Sequence, residues 1–385
     1  MTGLDGKRVY LDWNATAPLR AEARAAMLRA MDAVGNPSSV HAEGRDARAM
    51  VERARGQVAA LLSTDREQII FTSGATEAAH RVLFGDWPAI FAAAVEHDAV
   101  YGAAVAQPCF KALPTDGHGQ VDVIGIERWP ERSCETGLLC LQGANSETGV
   151  LQSTASAGLS AGDHGVTLLA DQTQSIGKIE APYTAPSRAP DFWFGSAHKL
   201  GGPTGVGVLV TEPGASPPVT THGGGQEQGR RSGTENVVGI AGFGAAAEAA
   251  RRDIEDGLWD RVAQLRNILE SAIEDVAPDV IFAGRAASRL PNTTCFAVPG
   301  WRGETQVMQL DLAGFAVSAG SACSSGKVRE SRVLRAMGWD AEAASSAIRV
   351  SLGPTTTEAE ILAFATAWAR HYGKRRAREA QRAPA

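Results

Sequence analysis

Lys199 ends the stretch Phe194-Gly195-Ser196-Ala197-His198-Lys199, directly before the glycine-rich run Leu200-Gly201-Gly202-Pro203-Thr204-Gly205. Only six of the chain's 37 basic side chains are lysines, so lysine chemistry has few candidates. A lysine in this position is either an ordinary surface residue or a Schiff-base amine, which needs burial and neighbours that lower its pKa. Ser196 and His198 stand close enough in sequence to reach the same ligand. Asp171 closes the apolar run 166–170. An acid at the carboxyl end of a buried strand sits where α/β proteins place ligands, though it can equally cap a helix. Gln174 follows three residues on, near the same rim. Phe71-Thr72-Ser73-Gly74-Ala75-Thr76-Glu77 reads as a strand end, a small turn and a helix start. The free N–H groups of such a helix suit a phosphate, with a simple cap as the alternative.

These pieces share one logic. A phosphate cradle, an acid for a pyridinium nitrogen and a Schiff-base lysine are what pyridoxal phosphate (PLP) requires. The order and spacing of the motifs resemble the class V aminotransferase family, and within it the cysteine desulfurases of the NifS/IscS type. The resemblance runs from Leu11-Asp12 to about Gly353. Its most specific stretches are Gly74-Ala75-Thr76-Glu77, Glu96-His97, residues 171–177, His198-Lys199, residues 222–234, Gly320-Ser321-Ala322-Cys323 and residues 346–353.

The resemblance implies a role for each matching residue. Lys199 would hold PLP covalently, and Asp171 would pair with the pyridinium nitrogen. His97 would stack on the ring and shuttle protons, and Gln174 would bond the phenolic oxygen. Ala75, Thr76, Ser196 and His198 would bind the phosphate. Thr234, in Arg231-Ser232-Gly233-Thr234, would reach the PLP phosphate of a partner subunit, which implies a homodimer. Arg349 would clamp the substrate carboxylate with its bidentate fork, and Asn14 would help on the substrate side.

Cys323 lies among small residues, Ser318 to Gly326, with nothing there to bury it as core. It is the expected nucleophile, a role that needs an accessible thiolate. The segment after it resembles the longer loop of the NifS/IscS group, suited to carrying sulfur to an acceptor protein. Cys140 sits inside an apolar run and Cys295 beside Phe296, so both read as core. Cys109 and Cys134 have no supporting context. His41 reads as structural, and His118, His164 and His371 as surface residues. No metal-ligand spacing is evident.

Some positions depart from the family pattern. In Asn145-Ser146-Glu147-Thr148-Gly149, Ser146 replaces an asparagine expected to contact the cofactor ring oxygen. Ala78-Ala79-His80 replaces a polar run, and residues 81–107 look shortened. Gly202 and Thr204 alter the loop after the lysine.

The elements that must position these residues are also legible. Short apolar runs at 68–72, 90–95, 138–142, 166–170, 192–194 and 206–211 predict strands, several of them apolar on successive residues. The stretches between are mostly long enough for crossover helices, which predicts an α/β layer with a mostly parallel sheet. Three- and four-residue spacing predicts helices over 45–62 and from Leu258 to Ile273. Residues 212–236 read as a long loop, 295–298 as a strand, and 334–337 and 361–368 as helical. Thr355-x-x-Glu358 reads as the capping box of the last helix, with a basic solvated tail beyond His371. The implied fold is the PLP-transferase fold type I. Residues 16–254 would form the large PLP-binding domain. Residues 1–15 with 255–385 would form a smaller α/β domain carrying the cysteine loop.

Composition excludes several classes. The net charge of −6 makes a poor dedicated nucleic-acid binder. An odd five cysteines without C-x-x-C is neither a disulfide framework nor a zinc ribbon, and points to a reduced compartment. No apolar run reaches the ~18–20 residues that span a bilayer, and residues 1–10 lack a signal-peptide core. The expectation is a cytoplasmic cysteine desulfurase acting on L-cysteine. It would make L-alanine and a Cys323 persulfide for a protein acceptor in iron–sulfur assembly or thiolation. A selenocysteine lyase or another class V PLP enzyme is the alternative, and a non-catalytic relic the third.

Overall fold

Strands apolar on consecutive residues must be covered on both faces, and the central sheet is built that way. The computed structural model describes residues 6–123, 137–180, 190–218, 221–319 and 330–382. Its strands are β1 (Val9–Tyr10), β2 (Ile69–Thr72), β3 (Ile90–Ala93), β4 (Phe110–Leu113), β5 (Leu138–Gln142), β6 (Thr167–Asp171), β7 (Phe192–Ser196), β8 (Gly207–Thr211), β9 (Ile281–Phe282), β10 (Thr293–Ala297), β11 (Phe315–Ala316), β12 (Ser318–Ala319) and β13 (Ala347–Ser351). Its helices are α1 (Ala21–Met31), α2 (Ala42–Leu62), α3 (Ala75–Leu83), α4 (Asp98–Val105), α5 (Thr154–Asp163), α6 (Val237–Glu255), α7 (Leu258–Glu274), α8 (Gly303–Leu312), α9 (Arg332–Ala336), α10 (Ala341–Ser346) and α11 (Glu358–Arg382).

Among the described residues, seven strands form the central sheet in the order β2-β8-β7-β6-β5-β3-β4. Strands β4, β3, β5, β6 and β7 run parallel, and β8 is antiparallel to both its neighbours. Side chains alternate faces along each strand. Ile69, Phe71, Val208 and Val210 share one core with Val51 and Val58 of α2 and Phe243 of α6. Ile70, Leu169, Phe194 and Leu209 share the opposite core with Val82 of α3 and Val100 of α4. Both faces are dry, so the polar alternation of a half-exposed strand is missing.

A second, antiparallel sheet has the order β12-β13-β10-β9. Its Phe296 and Ile348 share a core with Leu269 of α7 and Trp368 of α11. Trp368 packs edge-on against Phe296 at 5.6 Å and donates from Nε1 to Gln306 Oε1 at 3.0 Å. A third core holds Leu139, Leu141 and Leu168 of the central sheet together with Cys295, Ala297 and Ala347 of the second. Strand β1 pairs in parallel with β11, and Asp12 bridges to Ser351 of β13. The N-terminal segment therefore runs beside the second sheet and delivers Asn14 to the meeting of the two.

Two details differ from the sequence reading. The last helix is capped two residues later than expected: Thr357 N donates to Glu360 Oε2 at 2.8 Å, and Glu360 N to Thr357 Oγ1 at 3.3 Å. Thr-x-x-Glu occurs at both places, and the backbone selects the second. Strand β4, which no apolar run foretold, follows the stretch read as shortened and pairs with β3 at the sheet edge, its residues partly exposed. No helix among the described residues is long and apolar enough to cross a membrane.

Candidate active site

The carboxyl ends of β5, β6 and β7 carry Gln142, Asp171 and Ser196 to the rim of one cavity of about 760 Å³. Asn14, Ala75, Thr76, His97, Ser146, Asp171, Gln174, Ser196, His198, Lys199 and Arg349 all line it. Residues scattered over more than three hundred positions meet there because parallel strands deliver their carboxyl ends to one edge. Thr234 lies outside this cavity and is exposed, two residues before the Asn236 cap of α6. Cys323 and Cys134 lie outside the described residues. Ala319 and Glu330, which flank the segment holding Cys323, both line the cavity.

One end of the cavity suits an anion. The first helical bond of α3 runs from Ala78 N to Gly74 O at 3.1 Å. The N–H groups of Ala75, Thr76 and Glu77 thus have no carbonyl one turn back and sit at the positive end of the helix. A Cβ on Gly207 would lie 2.7 Å from the Gly74 carbonyl carbon, so β8 can lie against this turn only as glycine. Glu77 accepts from Ser73 N at 2.7 Å and from Arg231 Nε at 3.1 Å, pinning the 222–234 segment to the same turn. His198 Nδ1 lies 3.2 Å from Thr16 Oγ1. Burial, then the Lys199 charge, push the His198 ring down to about 4, so it is neutral at pH 7.

At the other end Lys199 Nζ donates to the carbonyls of Asn14 at 2.7 Å and Ala15 at 2.8 Å. Burial is the main force lowering its pKa to about 8. Arg349 adds to the shift, while Asp171 and Asp12 oppose it. Asp171 is buried, and its Oδ1 accepts from Thr173 N at 2.8 Å. His97 caps α4, its Nδ1 accepting from Ala99 N at 3.1 Å. That bond makes Nδ1 the acceptor and leaves the ring proton on Nε2.

Arg349 stands in the middle of β13. Its Nη2 donates to Asp12 Oδ1 at 2.7 Å and its Nη1 to Ser146 O at 2.9 Å. Its Nε is buried without a partner, as expected of a cation waiting for an anionic ligand. Asp12 was not foreseen as part of the site; its signal was its place two residues ahead of Asn14. The Asn14 side chain is fully used within the protein. Nδ2 donates to Thr293 Oγ1 at 2.9 Å and Ser146 O at 3.3 Å, and Oδ1 accepts from Lys178 at 3.1 Å and Asn292 at 3.0 Å. It frames the site and keeps no bond for a substrate in this arrangement.

Three further groups were given no role in the sequence reading. Glu96 is fully buried. Its Oε1 accepts from Gln142 N at 2.8 Å and its Oε2 has no partner. Burial holds its carboxyl well above the usual range, and Asp171 pushes the same way. Glu147 is raised to about 7 by burial, offset in part by the Ser331 hydroxyl at 2.5 Å and by Arg349. Lys178 is 3% exposed, and burial pushes its amine well below the usual lysine range. Cys140 and Cys295 are buried, and burial pushes both thiols up, away from reactivity.

The chemistry of this donor set fits PLP. Free helix N–H groups meet a phosphate, a buried carboxylate meets a ring cation, and an amine of lowered pKa meets an aldehyde.

Comparison with known proteins agrees. The aminotransferase class-V pattern matches residues 9–364. The chain is 38% identical over 364 residues to cysteine desulfurase 2 of Trichormus variabilis, covering 92% of this chain and 90% of that one. It is 35% identical over 372 residues to the cysteine desulfurase IscS of Dictyoglomus turgidum, covering 92% of each. The NifS-like protein of Rickettsia africae superposes with a TM-score of 0.86 at 31% identity, covering 95% of this chain and 99% of that one. This chain belongs to the class-V aminotransferase family, among its cysteine desulfurases.

Proposed function

We propose that this PLP-dependent enzyme removes the sulfur of L-cysteine, releases L-alanine and holds the sulfur as a persulfide on Cys323. One observation carries the reading: Lys199, Asp171, Arg349 and the N-terminus of α3 open into a single cavity. PLP, when bound, supplies an electron sink for the bonding pairs of the substrate.

The side chains divide the remaining work. Lys199 holds the cofactor and moves a proton at its Nζ. Asp171 keeps the positive charge on the pyridinium nitrogen. Gln174 meets the phenolic oxygen, with Ser146 beside it. Ala75, Thr76, Ser196 and His198 hold the phosphate, the last as a neutral donor. His97 covers the ring and carries a proton on Nε2. Arg349 takes the substrate carboxylate, which satisfies its orphaned Nε. The Cys323 thiolate then attacks the substrate sulfur. A sulfur–sulfur bond forms and the carbon–sulfur bond breaks. Its electron pair stays with the carbon skeleton, which takes up a proton to become alanine.

The persulfide passes to a protein acceptor. Exposed Thr234 serves the phosphate of a second subunit, which makes the working unit a homodimer. A cytoplasmic location follows from the cysteine usage.

Mass spectrometry of the Cys323 peptide, alkylated after exposure to L-cysteine, tests the reading. One added sulfur atom is expected. An unmodified peptide from turning-over enzyme overturns it.

A further inference from the structure

Lys178 is a buried amine that the reaction as described does not use. Gly177 precedes it at φ +76°, and a Cβ there would press within 3.1 Å of Ala250 on α6. This left-handed glycine turns the chain so that the lysine doubles back under Gln174. Lys178 Nζ donates to Gln174 Oε1 at 2.8 Å and to Asn14 Oδ1 at 3.1 Å. Gln174 Nε2 in turn donates to the carbonyl of Asn14 at 3.0 Å, the same oxygen that accepts from Lys199 at 2.7 Å. Lys178, Gln174 and Asn14 close a ring of hydrogen bonds, and Lys199 joins it at the Asn14 carbonyl.

An amide can present its oxygen or its nitrogen, and only a fixed partner decides which. With Lys178 donating to both, Asn14 and Gln174 must turn their oxygens inward. Gln174 then keeps a second Nε2 proton for the cavity it lines. We propose that Lys178 is a positioning residue that fixes the Gln174 and Asn14 amides so that Gln174 offers a proton to the bound cofactor. This rests on the PLP reading of the cavity. Burial pushes the amine well below the usual lysine range, and charged or neutral it carries at least two protons for its two acceptors.

The test compares native protein, Lys178→Met, Lys178→Gln, Gln174→Ala and the double variant Lys178→Met/Gln174→Ala. The readouts are PLP affinity of the apo-protein, the absorption spectrum of bound PLP, and Tm. Lys178→Met is expected to weaken PLP binding about tenfold, the low end of what losing an orienting partner costs, and to change the spectrum. Lys178→Gln, which still has two protons to donate, recovers part of the affinity. In the Gln174→Ala background, adding Lys178→Met changes affinity and spectrum little further. The proposal is overturned if Lys178→Met lowers Tm while affinity and spectrum stay native, or if its effect is undiminished without Gln174. Should Lys178→Met fail to fold, a Lys178→Gln protein with native affinity and spectrum supports the proposal, and one with no PLP binding overturns it. Native protein that takes up no PLP overturns the cofactor reading as well, which separates the two failures.

Discussion

Lys199 Nζ donates to the main-chain carbonyl of Asn14 at 2.7 Å, joining residues 185 positions apart. The amine comes from the end of the central sheet and the carbonyl from a segment that runs beside the second sheet. The site is therefore made by the packing of the two sheets together.

Lys199 sits near 8, lowered chiefly by burial. Only its neutral form attacks an aldehyde, and the neutral fraction grows as pH rises through the pKa. Covalent PLP uptake by the apo-protein should speed up through about pH 8 and level off above it. Stopped-flow absorbance measures this. A rate already flat from about pH 7 contradicts the assignment.

Arg349 holds Asp12 and Ser146 while keeping Nε free of protein partners. Lysine offers a point charge where arginine offers a fork. Arg349→Lys should raise KM for L-cysteine about ten- to a hundredfold, the range of one charged hydrogen bond, with kcat changing less. Steady-state kinetics decide. An unchanged KM would mean that the carboxylate binds elsewhere.

Arg55 and Glu227 form a buried two-pronged ion pair at 2.9 Å, with side chains 7% and 2% exposed. Glu227 adopts φ 47° and also accepts from Phe71 N at 2.9 Å, so the pair holds the 222–234 segment on β2. Arg55→Met strands a buried carboxylate and should cost about 3–5 kcal/mol. Denaturant unfolding measures it. A loss below about 1 kcal/mol would place the pair with ordinary surface bridges.

Six strands of the central sheet were legible because, dry on both faces, they appear as unbroken apolar runs; β4, at the partly exposed edge, was not. Strand β13 was harder to read. Arg349 interrupts its apolar residues because the strand borders the cavity. The helix cap was misplaced because two Thr-x-x-Glu spacings compete within three residues. Lys199 and the α3 turn were readable from local punctuation, a strand end followed by glycine, and Asp171 from its place closing an apolar run. Lys178, Glu96 and Glu147 were not, because their pKa shifts come from burial by residues distant in sequence. The framing position of Asn14 likewise depends on Thr293 and Asn292, which the chain order does not place beside it.

The central claim is desulfuration through Cys323. Its most direct test is alanine release from L-cysteine, with PLP and a thiol reductant, by the native chain and by Cys323→Ala. Alanine from the native chain and a loss of at least about a hundredfold in the variant are predicted, the scale of removing a reacting group. Equal alanine from both, or selenocysteine turnover that survives Cys323→Ala while cysteine is left untouched by either protein, would contradict the account and point to a lyase that needs no enzyme thiol.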